Sequence, residues 1–201
     1  MGTYLPGDKI VQALKDLPEG CLFILDEAYS EFAPASSLPK IEITDARVVR
    51  LRTFSKAYGL AGARVGYAMA EDNLIKSFEK IRNHFGMNRS AQKAAFEALS
   101  DNQWLLEMVQ KVENGRHRIY KIAAENNLKS ITSATNFVAI DCGKDSNFAK
   151  KVLKELISLG IFVRMPFVSP QDRCVRVSVG KKRDLDRFEK ALPTALARAS
   201  K

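Results

Sequence analysis

Lys56 is the residue of this chain whose type and surroundings most clearly invite chemistry. It lies in RVVRLRTFSKAYGLAGARVGYAMA, residues 47–70. An apolar, strand-like run, Val48-Val49-Arg50-Leu51, leads into Thr53-Phe54-Ser55-Lys56. Gly59, Gly62 and Gly66 come next with Arg64 among them, and Val65 to Ala70 close the stretch. A lysine amine is a weak nucleophile at neutral pH because it is almost fully protonated. Desolvation or a neighbouring cation frees it to attack a carbonyl. Apolar strand neighbours and Arg64 are the candidates for these two effects. Thr53, Ser55 and Arg64 offer hydroxyl donors and a bidentate guanidinium, a set suited to a phosphate. Taken alone, a Ser-Lys pair in a loop is more often a solvated lysine beside a structural arginine.

The pair is not alone. Upstream lies CLFILDEAYSEF, residues 21–32. Cys21 to Leu25 reads as a fully buried strand of a parallel sheet, with Asp26-Glu27-Ala28-Tyr29 at its carboxyl end. Ligands of open α/β sheets bind at the carboxyl ends of strands. If the two strands are parallel neighbours, Asp26, Tyr29 and Lys56 reach one edge. The blander readings are a turn or N-cap for Asp26 and a half-buried core aromatic for Tyr29.

DEAY followed by TFSKAYGLAGARVGY resembles the signature of fold-type I pyridoxal-phosphate (PLP) aminotransferases, and among them the histidinol-phosphate aminotransferase family. The resemblance covers essentially the whole chain but only about the C-terminal half of the family's length. MGTYLPGDKI resembles the stretch just after the family's Asn-Pro-x-x-Pro-Thr-Gly segment. The resemblance implies that Lys56 is the catalytic Schiff-base lysine, that Asp26 pairs with the pyridine nitrogen, and that Tyr29 donates to the ring's phenolic oxygen. It implies that Thr53, Ser55 and Arg64 bind the cofactor phosphate, and that freed Lys56 shuttles the α-carbon proton. The partners it implies are a small-molecule amino donor and a 2-oxo acid, with a homodimer in the full-length enzyme.

A second set of candidates lies near the C-terminus. In CVRVSVG, Cys174, Arg176 and Ser178 alternate with Val175, Val177 and Val179, so Arg176 needs an acidic partner or an anionic ligand. The resemblance makes Arg176 the grip on the substrate α-carboxylate, Arg164 of IFVRMPF a second substrate arginine aimed at a distal phosphate, and Asn136 a substrate-near residue. Phe162, Phe167 and Phe137 are either an aromatic pocket or plain core. Histidinol phosphate with 2-oxoglutarate comes first as substrates, in histidine biosynthesis, and an aromatic amino acid second. A threonine-phosphate decarboxylase-like enzyme and a truncated or split non-catalytic fragment stay as alternatives.

Composition narrows the field. The net charge of +9 comes from 32 basic and 23 acidic residues, but the basic residues are scattered and no nucleic-acid signature interleaves them. Cys21, Cys142 and Cys174 are widely spaced in apolar runs, which fits small buried side chains in a reducing compartment rather than disulfides or zinc. His84 and His117 lack ligand-like partners, so no metal is expected. No signal peptide is expected, and no apolar run of about 18 residues is present. The expected location is the cytoplasm.

Periodicity and punctuation supply the scaffold around these residues. The reading is α/β: part of the PLP-transferase large-domain mixed sheet (1–87), a connecting helix (88–115) and a small α+β C-terminal domain (116–201). A helix is expected in residues 6–16, strands at Val48–Arg52 and Val65–Ala70, and an exposed loop from Ser30 to Lys40. A short helix spans Asn73–Ile81. A longer one starts at Asn88-Arg89-Ser90, breaks near Ser100-Asp101-Asn102, and is succeeded by a helix reaching Asn126-Asn127. Beyond it come strands at Thr135–Asp141, Ile161–Arg164 and Cys174–Val179, and helices at Phe148–Leu159 and Arg183–Ala197. Pro193 is expected to kink or break the last helix.

Overall fold

The computed structural model describes residues 1–201. Two compact units emerge: Tyr4–Val109, and Gln110–Lys201 together with Met1–Thr3.

In the first unit α1 (Gly7–Lys15) buries Leu14. Gly7 allows its close docking, since a Cβ there would stand 2.6 Å from the Leu38 carbonyl oxygen. β1 (Phe23–Asp26), β2 (Val48–Thr53) and β3 (Gly66–Ala70) form a three-stranded sheet in that order. β1 runs parallel to β2 with Asp26 opposite Leu51. β3 returns antiparallel with Thr53 opposite Gly66. Alternation then puts Ile24, Asp26, Leu51 and Thr53 on one face and Arg50 and Arg52 on the other.

Three helices come after the sheet. Glu71 caps α2 (Asp72–Glu79), accepting from the Asn73 and Leu74 amides. Asn88 caps α3 (Arg89–Ser100), accepting from the Ala91 amide at 2.7 Å. Asp101 interrupts the helical run and accepts from the Trp104 amide, and α4 (Asn102–Glu125) begins at the next residue. Ala91 and Ala95 of α3 pack with Phe54, Tyr58 and Val65. This small cluster seats the loop that carries Lys56.

The second unit is an antiparallel sheet, β4 (Lys129–Ile131), β5 (Phe137–Asp141) and β6 (Cys174–Ser178), in that order. α5 (Ser146–Ser158) and α6 (Lys182–Ala199) pack together. The core holds Ile119, Ile122, Val138, Ile140, Val152, Leu156, Val175 and Leu192, all fully buried. Each such side chain contributes about 1.5–3 kcal/mol. Gly160, at φ +75°, ends α5 in the left-handed conformation that glycine adopts without strain.

Several expectations need correction. The first strand is not Cys21–Leu25 and is not fully buried: it starts at Phe23, Cys21 is exposed, and Ile24 is 63% exposed. β1 is one of the two outer strands of the sheet, and its Ile24 face is left open in this chain. The Ser30–Lys40 stretch contains two single-turn 3-10 helices that bury Phe32 and Ser37. Ile161–Arg164 is not a strand, because only Arg164 bridges to Arg176. Lys129–Ile131 is an additional strand. α6 runs unbroken through Pro193. No helix is long and apolar enough to cross a membrane.

Candidate active site

Parallel pairing brings the carboxyl ends of β1 and β2 side by side, and both chains turn there by short polar contacts. The Asp26 carboxylate accepts from the Ala28 amide at 2.9 Å, which turns the chain toward Tyr29. Thr53 Oγ1 accepts from the Ser55 amide at 3.1 Å, the same device one strand over. The turn then closes on itself: the Gly59 amide donates to the Lys56 carbonyl at 3.0 Å and the Leu60 amide to the Phe54 carbonyl at 2.9 Å. Gly59 takes φ +69°. Arg64, also left-handed at φ 54°, donates from Nη1 to the Ala61 carbonyl at 2.8 Å.

Asp26, Thr53, Ser55, Lys56 and Arg64 thus line one cleft of about 390 Å³. Tyr29 joins them from the β1 side, with Lys56 Nζ 5.2 Å from its ring centroid. With Arg52, whose guanidinium is already paired with Glu27, also on its wall, the cleft offers one carboxylate, the Thr53 and Ser55 hydroxyls, the unpaired Arg64 guanidinium and an amine, and Tyr29 adds its phenol. Lys56 is half-buried, and neither it nor Arg64 forms an ion pair. That donor set fits a small anion carrying a phosphate, a carbonyl carbon and a basic ring nitrogen.

Arg164 and Arg176 line a second cleft, of about 950 Å³, in the other unit. Their backbones pair, Arg164 N–H to Arg176 C=O at 3.1 Å and Arg176 N–H to Arg164 C=O at 2.6 Å. The Arg176 guanidinium lies 4.6 Å from the Phe137 ring centroid. Phe162 and Phe167 are 79% and 97% exposed and line this cleft, so they are not core; Phe137 is buried. Asn136 precedes β5, and its carbonyl accepts from the Val179 amide at 2.9 Å. It does not line the cleft.

Sequence reasoning missed the buried Glu27, which pairs with Arg50 and Arg52. The signal was available. Two arginines two residues apart in an apolar strand share a face and call for an acid there. Lys150, which lines the second cleft, carried no such signal.

Known proteins resemble the chain throughout. A histidinol-phosphate aminotransferase of Geobacillus sp. (strain WCH70) is 37% identical over 97% of this chain and 53% of its own length. The crystal structure of histidinol-phosphate aminotransferase from Sinorhizobium meliloti in complex with pyridoxal-5'-phosphate superposes with a TM-score of 0.95 at 48% identity, covering 98% of this chain and 54% of that one. L-threonine-O-3-phosphate decarboxylase from Porphyromonas gingivalis shares the fold, with a TM-score of 0.79 at 23% identity over 98% of this chain and 61% of that one. The chain therefore spans about half the length of the relatives it matches. The family model for aminotransferase class I and II matches residues 1–192, and on that match the chain belongs to this family.

Proposed function

We propose that the chain carries the cofactor lysine and the substrate arginines of a pyridoxal-phosphate-dependent aminotransferase. The amino group passes from histidinol phosphate to 2-oxoglutarate, in histidine biosynthesis. The observation that carries the reading is the convergence of Asp26, Thr53, Ser55, Lys56 and Arg64 on one cleft at the carboxyl ends of two parallel strands. Bound there, pyridoxal phosphate supplies an aldehyde and an electron-withdrawing ring. Thr53, Ser55 and Arg64 hold its phosphate. The Asp26 carboxylate holds a proton on the ring nitrogen, and Tyr29 donates to the phenolic oxygen. Lys56 would hold the aldehyde carbon and, once displaced from it by the substrate's own amine, would be the base placed to take the proton from the substrate's α-carbon. Arg176 and Arg164 bind the anionic groups of the substrate. The full-length enzyme works as a cytoplasmic homodimer.

An aromatic amino acid is the second donor, favoured by the exposed Phe162 and Phe167 on the cleft that holds both arginines. Initial rates with histidinol phosphate against phenylalanine rank the two. The cofactor reading is tested by mixing the chain with pyridoxal phosphate, reducing with borohydride and mapping the adduct by peptide mass. A single modified peptide containing Lys56 is expected, with none in Lys56→Ala. An adduct that survives this substitution refutes the assignment. A chain that traps the cofactor but turns over no substrate is a non-catalytic part of such an enzyme.

A further inference from the structure

Behind the Lys56 cleft, on the opposite face of the first unit's sheet, Glu27 is only 7% exposed. Its Oε1 accepts from Arg50 Nη2 at 2.7 Å, and its Oε2 accepts from Arg50 Nε at 3.0 Å and Arg52 Nε at 3.1 Å. Its backbone amide donates to the Leu51 carbonyl at 2.9 Å. One residue thus ties the end of β1 to three consecutive residues of β2, at the register that sets Asp26 opposite Leu51, two residues short of Thr53. We propose that Glu27 is a positioning residue of the Lys56 cleft: its carboxylate locks the strand ends from behind and holds the Lys56 turn through Arg52, Tyr67 and Phe54.

The contacts run without a gap. Arg52 stands opposite Tyr67 across the β2–β3 pair. Burial lowers the pKa of Arg52, but Glu27 and the Tyr67 hydroxyl outweigh it and hold the guanidinium above its ordinary value. The Tyr67 ring lies 5.6 Å from Phe54, and Phe54 lies 5.0 Å from Tyr58, centroid to centroid. Phe54 and Tyr58, both buried, flank Ser55-Lys56-Ala57. The turn is therefore seated on two rings, and one of these rests on the tyrosine that Arg52 faces. A buried ion pair is a weak source of net stability, because desolvation offsets its attraction. Holding one geometry is what such a pair does well, and here that geometry adjoins the cleft.

The proposal rests on the cofactor reading for its purpose but can be tested without cofactor. In the 201-residue chain, Glu27→Gln leaves Arg50 and Arg52 without a counter-charge. Amide exchange at Glu27, Ala28, Ser55 and Gly59 is expected to accelerate at least about tenfold more than at α3 amides, because opening is local. Should Glu27→Gln not fold, Arg50→Lys keeps the charge, gives up the fork, and is expected to show the same pattern at smaller size. Acceleration spread evenly over Tyr4–Val109 in the variant that folds overturns the proposal and leaves Glu27 a general stabiliser. Pyridoxal phosphate titration supplies the second readout. The folded variant should bind more weakly, with a displaced pH profile of its visible absorbance; an unchanged profile and affinity count against positioning. If the wild-type chain traps no adduct at Lys56, the cofactor reading fails, and the exchange pattern still decides whether Glu27 positions the turn.

Discussion

Arg64 allows backbone and charge to be separated at one position. Its φ of 54° and ψ of 48° are left-handed, a conformation that costs a residue with a Cβ roughly 1–2 kcal/mol. The side chain is exposed and its one hydrogen bond goes to the Ala61 carbonyl, so truncation leaves no cavity. Glycine relieves the strain but returns about 0.5–1 kcal/mol to the freer unfolded chain. The expected balance is that Arg64→Gly is more stable than Arg64→Ala by about 0.5–1 kcal/mol, since both lose the same hydrogen bond. Both variants remove a charged donor from the cleft. A hydrogen bond to a charged group is worth about 1.5–3 kcal/mol, so pyridoxal phosphate affinity should fall roughly ten- to 150-fold in each. Urea midpoints give the first quantity and absorbance titration the second. If the two variants bind differently, or either binds like wild type, Arg64 does not hold the phosphate. If Arg64→Ala is the more stable, the left-handed backbone is not what selects glycine there.

Other positions yield sharper tests of the fold. Pro193→Ala should stabilise the second unit by about 1–3 kcal/mol, because the exposed proline lacks the N–H that would complete the hydrogen bonding of the continuous α6; circular dichroism on heating measures it. Leu192→Ala, at a fully buried site one residue earlier, should cost about 2–5 kcal/mol and lower the urea midpoint. Burial pushes the Cys142 thiol up to about 12 from an ordinary 9.0. The folded state therefore holds this proton more tightly than the unfolded one, a stabilisation complete below the unfolded value and lost as pH climbs toward the folded one. Wild type should lose stability above pH 9.0 faster than Cys142→Ala. In the native chain a thiol reagent at neutral pH should label exposed Cys21 well before Cys142 or Cys174.

What could be read from sequence was mostly local. The strand–turn–strand of residues 48–70 was legible because its determinants are neighbours: an apolar run, a threonine and serine at the turn, glycines where the backbone turns. The helix start at Asn88 was legible for the same reason, an N-cap immediately before an alanine-rich stretch. The misreadings concern what lies across space. Cys21–Leu25 is apolar enough for a central strand, but burial depends on what covers it, and Ile24 stands open. Ile-Phe-Val-Arg has strand-like residues, yet β6 accepts only Arg164 as a neighbour, and Pro166, without an N–H, comes close behind. Pro193 stayed inside a helix because Leu185, Phe188, Leu192, Ala195 and Ala199 all bury on its inner face, and that packing outweighs one missing hydrogen bond. The residues of the Lys56 cleft share one edge because parallel register, once granted, leaves the strand ends no other place to go.

The arginines sort themselves by what answers their charge. Arg50 and Arg52 meet Glu27, Arg173 meets Asp141 at 2.9 Å, and Arg118 meets Asp186 at 2.6 Å and Glu189 at 2.5 Å. These pairs close the charge within the chain. Arg64, Arg164 and Arg176 form no ion pair; a backbone carbonyl orients the Arg64 guanidinium and the Phe137 ring that of Arg176, while Arg164 is placed beside Arg176 by its backbone bridge. A carbonyl or an aromatic face orients a guanidinium without cancelling its charge, and most of its five N–H donors stay available. All three line clefts; Arg118, fully answered, lines neither, and Arg52 reaches the wall of the Lys56 cleft with its charge already met by Glu27. Orientation without neutralisation is how a protein prepares for an anion it does not itself supply. A carboxylate of this chain found on any of the three would move that arginine into the first group and remove the reason to read it as an anion holder of its own cleft.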